Sequence, residues 1–453
     1  MKHVEQTGIL DMLAQYAAKK PLRMHMPGHK ADARFCKLFS KVASLDITEL
    51  AFSDNLANPV GVIRAAEDRA AEVFGAKRTF FLTDGSTCGV YSMLAVARRF
   101  GKKIIISRNA HKSVYNACRL LGIEPVVLGQ NVMDGVCLPP QATDVYRALE
   151  KTDGIAGLLV TYPDYYGNVA DLAAYRKVLS EKGKLLLVDG AHGGHLQFDG
   201  QVPYAGEYAD VWVDGVHKTM PALSQSALLH VGREDLVREA ERAVCAFRTS
   251  SPNYVILASI EYAVSYMAAF GRERIAALRR EFSLSATRMK KKGIAFYPSK
   301  DALKIVVDCA KTGIDAHLVE KELEKKGVYL EMNDGRYLLF LLSPVMGAKE
   351  IKSIERLLVK ICKKKSFRKT HTLVVATPKA IRRLPYLVAV DLESVRVPLG
   401  QAVGRIAADN AGTFPPCFPI VVAGEVITED VVNVLQNAKD TFGVYDGQIE
   451  CLK

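Results

Sequence analysis

KLLLVDGAHGG (Lys184–Gly194) and DVWVDGVHKT (Asp210–Thr219) decide how this chain reads. Each is a short apolar run that stops at an aspartate and a glycine and then turns polar. Runs that are apolar at consecutive positions suit strands buried on both faces, as in a mostly parallel sheet covered by helices. The same design recurs outward from them: Thr79–Thr83 (TFFLT), Lys103–Ser107 (KIIIS), Pro125–Leu128, Gly157–Thr161 (GLLVT) and Ala227–Val231. Helical patterns separate most of these runs. Val62–Phe74 is the clearest, with Gly75 just past its end as a C-cap. Strand and helix alternating over this length predict an α/β sheet domain.

The domain reading follows. Residues 1–60 form an N-terminal arm with a short amphipathic helix near Gln6–Lys19, and residues 61–271 form the large α/β domain. Residues 272–365 form a smaller α/β domain, with strands at Leu303–Asp308 and Tyr337–Leu342 and helices near Asp315–Lys326 and Ala348–Lys364. A basic run from Lys363 to Lys369 reads as a linker, and residues 371–453, richer in Pro and Gly, form a C-terminal α+β domain.

Composition bounds the function classes. Of 453 residues nearly half are apolar and a quarter charged, so a packed core is expected rather than disorder. The net charge of +12 is partly local, in Lys290–Lys292 and Lys363–Lys369, and no aromatic-interleaved basic patch accompanies it, so no nucleic-acid partner is expected. The nine cysteines are widely spaced and include no C-x-x-C, which argues for a reducing compartment and against a disulfide framework or structural zinc; no metal is expected. No apolar run approaches the ~20 residues of a membrane helix, and the first residues lack a signal-peptide core. The expected location is cytoplasmic, with no membrane partner.

In open α/β sheets ligands sit beyond the carboxyl ends of the strands. The polar residues of this chain gather there: Gly85-Ser86-Thr87, Arg108-Asn109-Ala110-His111-Lys112, Thr161-Tyr162-Pro163, Asp189-Gly190-Ala191-His192 and His217-Lys218-Thr219. Gly85, Ser86 and Thr87 opening a helix offer hydroxyls and N–H groups to a phosphate. Asp189, 29 residues before Lys218, is placed to pair with a protonated pyridine nitrogen, while Lys218 supplies an amine. A lysine with a carboxylate for a ring nitrogen is what a pyridoxal 5'-phosphate site requires. Each residue alone is commonplace as a cap or a solvated side chain; together and in this order they point to that cofactor.

These stretches resemble the ornithine/lysine/arginine decarboxylase family, fold-type I (aspartate aminotransferase-like) enzymes that use pyridoxal phosphate, in the short form without an N-terminal wing domain. The matching motifs are His25-Met26-Pro27-Gly28-His29-Lys30, Asp46-Ile47-Thr48-Glu49-Leu50, Phe80 to Thr87, Arg108 to Ser113, Asp189 to Gly193, His217-Lys218-Thr219, Phe414-Pro415-Pro416 and Gly424-Glu425. The resemblance implies that Lys218 carries the cofactor as a Schiff base and that Asp189 pairs with the pyridinium. It implies that His111 stacks on one face of the ring and Ala191 packs on the other. Gly85, Ser86 and Thr87 would bind the phosphate, with His217 close by. His217 would also be a candidate proton donor, alongside Lys218. His192 would lie near the ring oxygen or the substrate. Glu425, held at a pocket rim after a Pro-rich turn, would read the distal cation of a basic amino acid: arginine, lysine or ornithine. Thr249-Ser250-Ser251-Pro252 resembles a segment that reaches a neighbouring subunit, implying a homodimer or dimer-based oligomer. The sequence departs from the family pattern at Asp164, Gly190, Gly215, Cys417, Phe418 and Ala423. Gly215 stands where the family usually has a serine that helps the phosphate. Another fold-type I activity, an aminotransferase or lyase, and a catalytically weak regulatory homologue remain the alternatives.

Overall fold

The computed structural model describes residues 7–32, 34, 37–129, 131–364, 378–414 and 417–453. Most of the basic linker, together with Cys36, Pro415 and Pro416, lies outside the described residues.

Seven strands form the main sheet: β1 (Arg78–Leu82), β2 (Lys103–Ser107), β3 (Glu124–Leu128), β4 (Ile155–Thr161), β5 (Leu185–Gly190), β6 (Val211–Asp214) and β7 (Ala227–Val231). Their spatial order is β1-β7-β6-β5-β4-β2-β3. Pairs β2–β3, β2–β4 and β5–β6 run parallel, and β7 is antiparallel to both β1 and β6. Every residue of β1, β5, β6 and β7 is buried, which is why these strands read as unbroken apolar runs instead of alternating ones. β2 and β7 fall on the bounds read from sequence. β4 starts two residues before the Gly157–Thr161 run read from sequence, so Gly157 lies inside the strand. A Cβ there would stand 2.1 Å from the Leu185 carbonyl oxygen, so only glycine allows β4 and β5 to pair at this point.

The chain packs as two compact units, and their bounds cut across the four segments read from sequence. One comprises residues 1–96, 187–275 and 343–345; the other comprises residues 97–186, 276–342 and 346–453. Crossover connections bring strands distant in sequence side by side, and the division falls inside β5.

In the first unit the helix Val62–Phe74 buries Ile63, Ala66, Ala70, Ala71 and Phe74, and ends at Gly75 in the left-handed conformation, as read from sequence. The helix Tyr254–Tyr266 buries Tyr254, Leu257, Ile260 and Val264. Its Glu261 accepts the Ile9 N–H at 2.8 Å at the start of the N-terminal helix Gly8–Ala18, and pairs with Arg69. The helical run Tyr254–Lys290 contains an 18-residue stretch of mean hydropathy 1.3, long and apolar enough to cross a membrane, and 56% of it is buried inside the protein. Core packing accounts for that apolar character.

In the second unit an antiparallel sheet holds Lys304–Asp308 and Tyr337–Leu341 at its centre. The helices Ala316–Glu324 and Ala348–Cys362 supply Val319, Leu323, Ile351 and Leu358 to one core with Leu303, Ile305, Val307, Leu338 and Phe340. The C-terminal residues add two three-stranded antiparallel sheets and the helix Glu429–Asn437, around Ala407, Ala411, Ile420, Val421, Ile427 and Leu435.

Candidate active site

The first unit collects most of the predicted site residues. Asp189, the next-to-last residue of β5, is 2% exposed and accepts the Ala191 N–H at 3.2 Å. Burial raises its pKa, while the Lys218 charge and the Ala191 hydrogen bond pull it back down. A buried carboxylate in this state gains by meeting a cation.

Lys218 sits in a four-residue helix, Val216–Thr219, directly after β6, and its Nζ lies 3.3 Å from His192 Nε2. Ala191 and His192 are both buried. His217 faces the Ser226 carbonyl with Nδ1 at 2.8 Å. A carbonyl only accepts, so Nδ1 carries the proton and Nε2 is the acceptor of the neutral ring. Burial keeps the His217 pKa below its ordinary value, so the neutral ring prevails. At neutral pH His217 is therefore better suited to accept a hydrogen bond than to deliver a proton.

Gly85 opens the helix Gly85–Ala97 with φ +72° and donates its N–H to the Gln225 carbonyl at 2.8 Å; Ser86 and Thr87 occupy the first turn, half-buried and exposed respectively. The buried hydroxyls of Thr83 and Thr219 have no protein hydrogen-bond partner among the described residues. Gly215 is a close-approach position: a Cβ there would stand 2.5 Å from the Ala191 carbonyl oxygen and 3.3 Å from Lys218 Cδ. The absence of a serine at this position follows from how tightly the Lys218 turn packs on Ala191.

Beneath this surface lies a buried polar network that sequence reading missed. Trp212 Nε1 donates to Tyr204 Oη at 2.7 Å, and Tyr204 donates to Asp214. His230 Nε2 lies 3.3 Å from Asp214, its Nδ1 lies 2.8 Å from Thr79 Oγ1, and its ring stacks on Trp212 at 4.9 Å. Asp214 is the last residue of β6, so these side chains fix the strand end from which the Lys218 turn departs.

The remaining predicted residues lie in the second unit. His111 is the N-cap of the helix Lys112–Leu121; its Nδ1 accepts the Ser113 N–H at 3.2 Å and lies 2.8 Å from Ser113 Oγ. Asp164 is buried and accepts N–H groups of Tyr166 and Asn168, both at 2.9 Å, a turn-closing role. Glu425 is not at a pocket rim, which corrects that expectation. It is 2% exposed, and its two oxygens receive Arg108 Nη1 at 2.7 Å and Arg108 Nη2 at 3.0 Å. The Val422 N–H at 2.9 Å and Arg382 Nη2 at 3.3 Å add to it. A buried arginine after an apolar strand needs a carboxylate, and that was the available signal; which carboxylate answers it, 317 residues away, was not.

Two family models match the chain: the Orn/Lys/Arg decarboxylase major domain over residues 7–302 and the C-terminal domain of the same decarboxylases over residues 361–447. The chain belongs to the Orn/Lys/Arg decarboxylase family. Among relatives of this chain, the uncharacterized protein YaaO of Bacillus subtilis is 31% identical over 458 residues, covering 95% of this chain and 93% of that protein. An arginine decarboxylase of Bacillus subtilis is 29% identical over 459 residues, again 95% and 93%. The inducible lysine decarboxylase of Escherichia coli K12 is 23% identical, covering 87% of this chain and 69% of that protein. Among solved structures, the Francisella novicida lysine decarboxylase LdcF superposes with a TM-score of 0.80 at 16% identity, over 99% of this chain and 81% of that one. An L-threonine transaldolase from Pseudomonas fluorescens matches 68% of this chain and 74% of that one with a TM-score of 0.56 at 17% identity. At these identities the structural matches carry the fold alone. The chain has the fold-type I architecture, with a smaller α/β part and an α+β C-terminal part.

Proposed function

We propose that this chain is a pyridoxal-phosphate-dependent decarboxylase of a basic amino acid, with arginine as the favoured substrate. One observation carries the reading: a buried carboxylate, Asp189, and an amine, Lys218, stand at the ends of neighbouring strands β5 and β6 in the same unit, with His192 beside the amine. The donor set fits the cofactor. Asp189 would hold the pyridine nitrogen protonated, and Lys218 would carry the aldehyde carbon. Gly85, Ser86 and Thr87 would hold the phosphate at a helix N-terminus, and the unpartnered hydroxyls of Thr83 and Thr219 are further donors nearby in sequence. When bound, such a cofactor supplies an electron sink for the carbon–carboxylate bond of an amino acid. The chain's own residues orient and exchange protons around it. Asp189 would keep the ring charge in place and Ala191 would pack against the ring; for His111 the ring-stacking role is the one the family resemblance implies. The Lys218 amine, next to His192, is placed to return a proton to the α-carbon.

Arginine is favoured because relatives named arginine decarboxylase reach 28–29% identity over 92–95% of this chain, whereas the inducible lysine decarboxylase reaches 23% over 87%. Incubating the protein with pyridoxal phosphate and arginine, lysine or ornithine separately should give agmatine as the main amine, with carbon dioxide released in equal amount. Formation of a keto acid, or no product from any of the three, would overturn the proposal.

A homodimer is part of the same proposal. Leu22, Met24 and Leu38 on the N-terminal arm are each more than 80% exposed, more apolar surface than a free arm needs. Thr249 and Ser250 are exposed, and the Thr249 N–H donates to Asp84 beside Gly85 at 3.3 Å, so a second copy covering this segment would border the phosphate loop. Sedimentation should give twice the 49.7 kDa chain mass; a fully active species of single-chain mass would contradict it.

A further inference from the structure

We propose that Glu425 and Arg108 form a clasp that positions His111, and that Glu425 does not read the substrate. The inference rests on the proposed cofactor reading for the role of His111, while the clasp itself stands on geometry alone. Arg108 is the first residue after β2, and its backbone N–H is fixed to the Leu128 carbonyl at 2.7 Å. Its guanidinium meets Glu425 in a two-pronged pair and also donates to the Ile420 carbonyl at 2.8 Å. Four residues on, the Lys112 N–H donates to the Cys417 carbonyl at 2.9 Å. The loop Asn109–Ala110–His111 is therefore tied at both ends to one segment, Cys417–Glu425. Glu425 in turn is fixed within that segment by the Val422 N–H.

The chemistry of the pair argues against substrate reading. A carboxylate that is to hold an incoming guanidinium must have oxygen lone pairs to offer. Here Arg108 takes both oxygens in fork geometry, Val422 and Arg382 add two further donors, and the carboxylate is buried. A substrate cation would have to displace Arg108 and leave its charge buried without a carboxylate, which is costly. Cys417, at φ +61°, offers its carbonyl to the loop from a left-handed turn, and Asn109 Nδ2 lies 3.5 Å from Asp164 Oδ2, so the loop between the two ties is also restrained along its length.

The test uses the full-length protein with Glu425→Gln, Arg108→Lys and the two combined. The first readout is acylation of His111 by diethyl pyrocarbonate in the cofactor-free protein, mapped by mass spectrometry and normalised to exposed His317. Each single variant should acylate His111 about fivefold faster, and the combined variant should be no faster than the singles, as residues acting as one unit behave. The second readout is kinetic: turnover falls for every substrate while the preference for arginine over an uncharged analogue of similar length holds. The visible circular dichroism of the bound cofactor weakens in parallel. Unchanged His111 acylation, with a Michaelis constant that rises for arginine alone, would overturn the clasp in favour of substrate reading. Should Glu425→Gln not fold, Arg108→Lys keeps the charge pair, loses the fork, and tests the same point. The acylation measurement needs neither cofactor nor substrate, so its outcome is separate from any failure of the decarboxylase proposal.

Discussion

Replacing Lys218 with alanine should lower turnover by about ten-thousandfold or more, ~5 kcal/mol of barrier, while leaving the fold intact. The side chain is half-buried in a four-residue helix, and its Nζ lies 3.3 Å from His192 Nε2. The loss falls on chemistry: the proposed covalent attachment goes, and so does the group placed to exchange a proton with the α-carbon. The variant is checked by steady-state amine formation together with thermal unfolding. Activity within tenfold of the parent protein would show that the amine is not the attachment point.

The second large effect is expected from Asp189→Asn. Asparagine keeps the shape and can still accept the Ala191 N–H, but the negative charge is gone. Turnover should fall by about a hundredfold or more, ~2.7 kcal/mol, because a neutral partner no longer keeps a pyridine nitrogen protonated. Stability of the cofactor-free protein should move the other way. Burial raises the Asp189 pKa, so the folded chain holds this carboxylate in its charged form only at a cost, which Asn relieves. The linkage has a definite sign. Since the folded pKa lies above the unfolded one, Asp189 makes the cofactor-free fold less stable as pH rises through that interval, and Asn removes this dependence. Urea unfolding of both proteins at about pH 4 and about pH 7 reads it. Turnover retained within about threefold, ~0.7 kcal/mol, would return Asp189 to a packing role.

Much of this architecture is legible in the chain because the relevant physics is local. β2, β7 and the helix Val62–Phe74 have the bounds that apolar runs and the Gly75 cap predict. Burial on both faces gives strands a plain sequence signature. Lys218 and Asp189 stand out because each follows such a run directly. What sequence reading missed is set by pairing at a distance. Gly157 reads as the first residue of a strand, but that it must be glycine is seen only when Leu185 of β5 is laid beside it, and Gly215 looks like a lost serine until the Ala191 carbonyl is seen 2.5 Å from its absent Cβ. The run Tyr254–Lys290 is helical throughout and crosses the boundary read between residues 271 and 272. Glu425 was assigned by motif to an open rim, and the long-range partner Arg108 moves it into the interior. Reading a role from a motif assumes the carboxylate is available; only the fold shows that it is already bound.

The central claim is that Lys218 carries pyridoxal phosphate opposite Asp189. The most direct measurement is borohydride reduction of the cofactor-loaded protein, followed by proteolysis and mass mapping of the labelled peptide. The account predicts one pyridoxyl group per chain, on Lys218, with no label in Lys218→Ala. Label on another lysine, or none under conditions where the cofactor is bound, would contradict it.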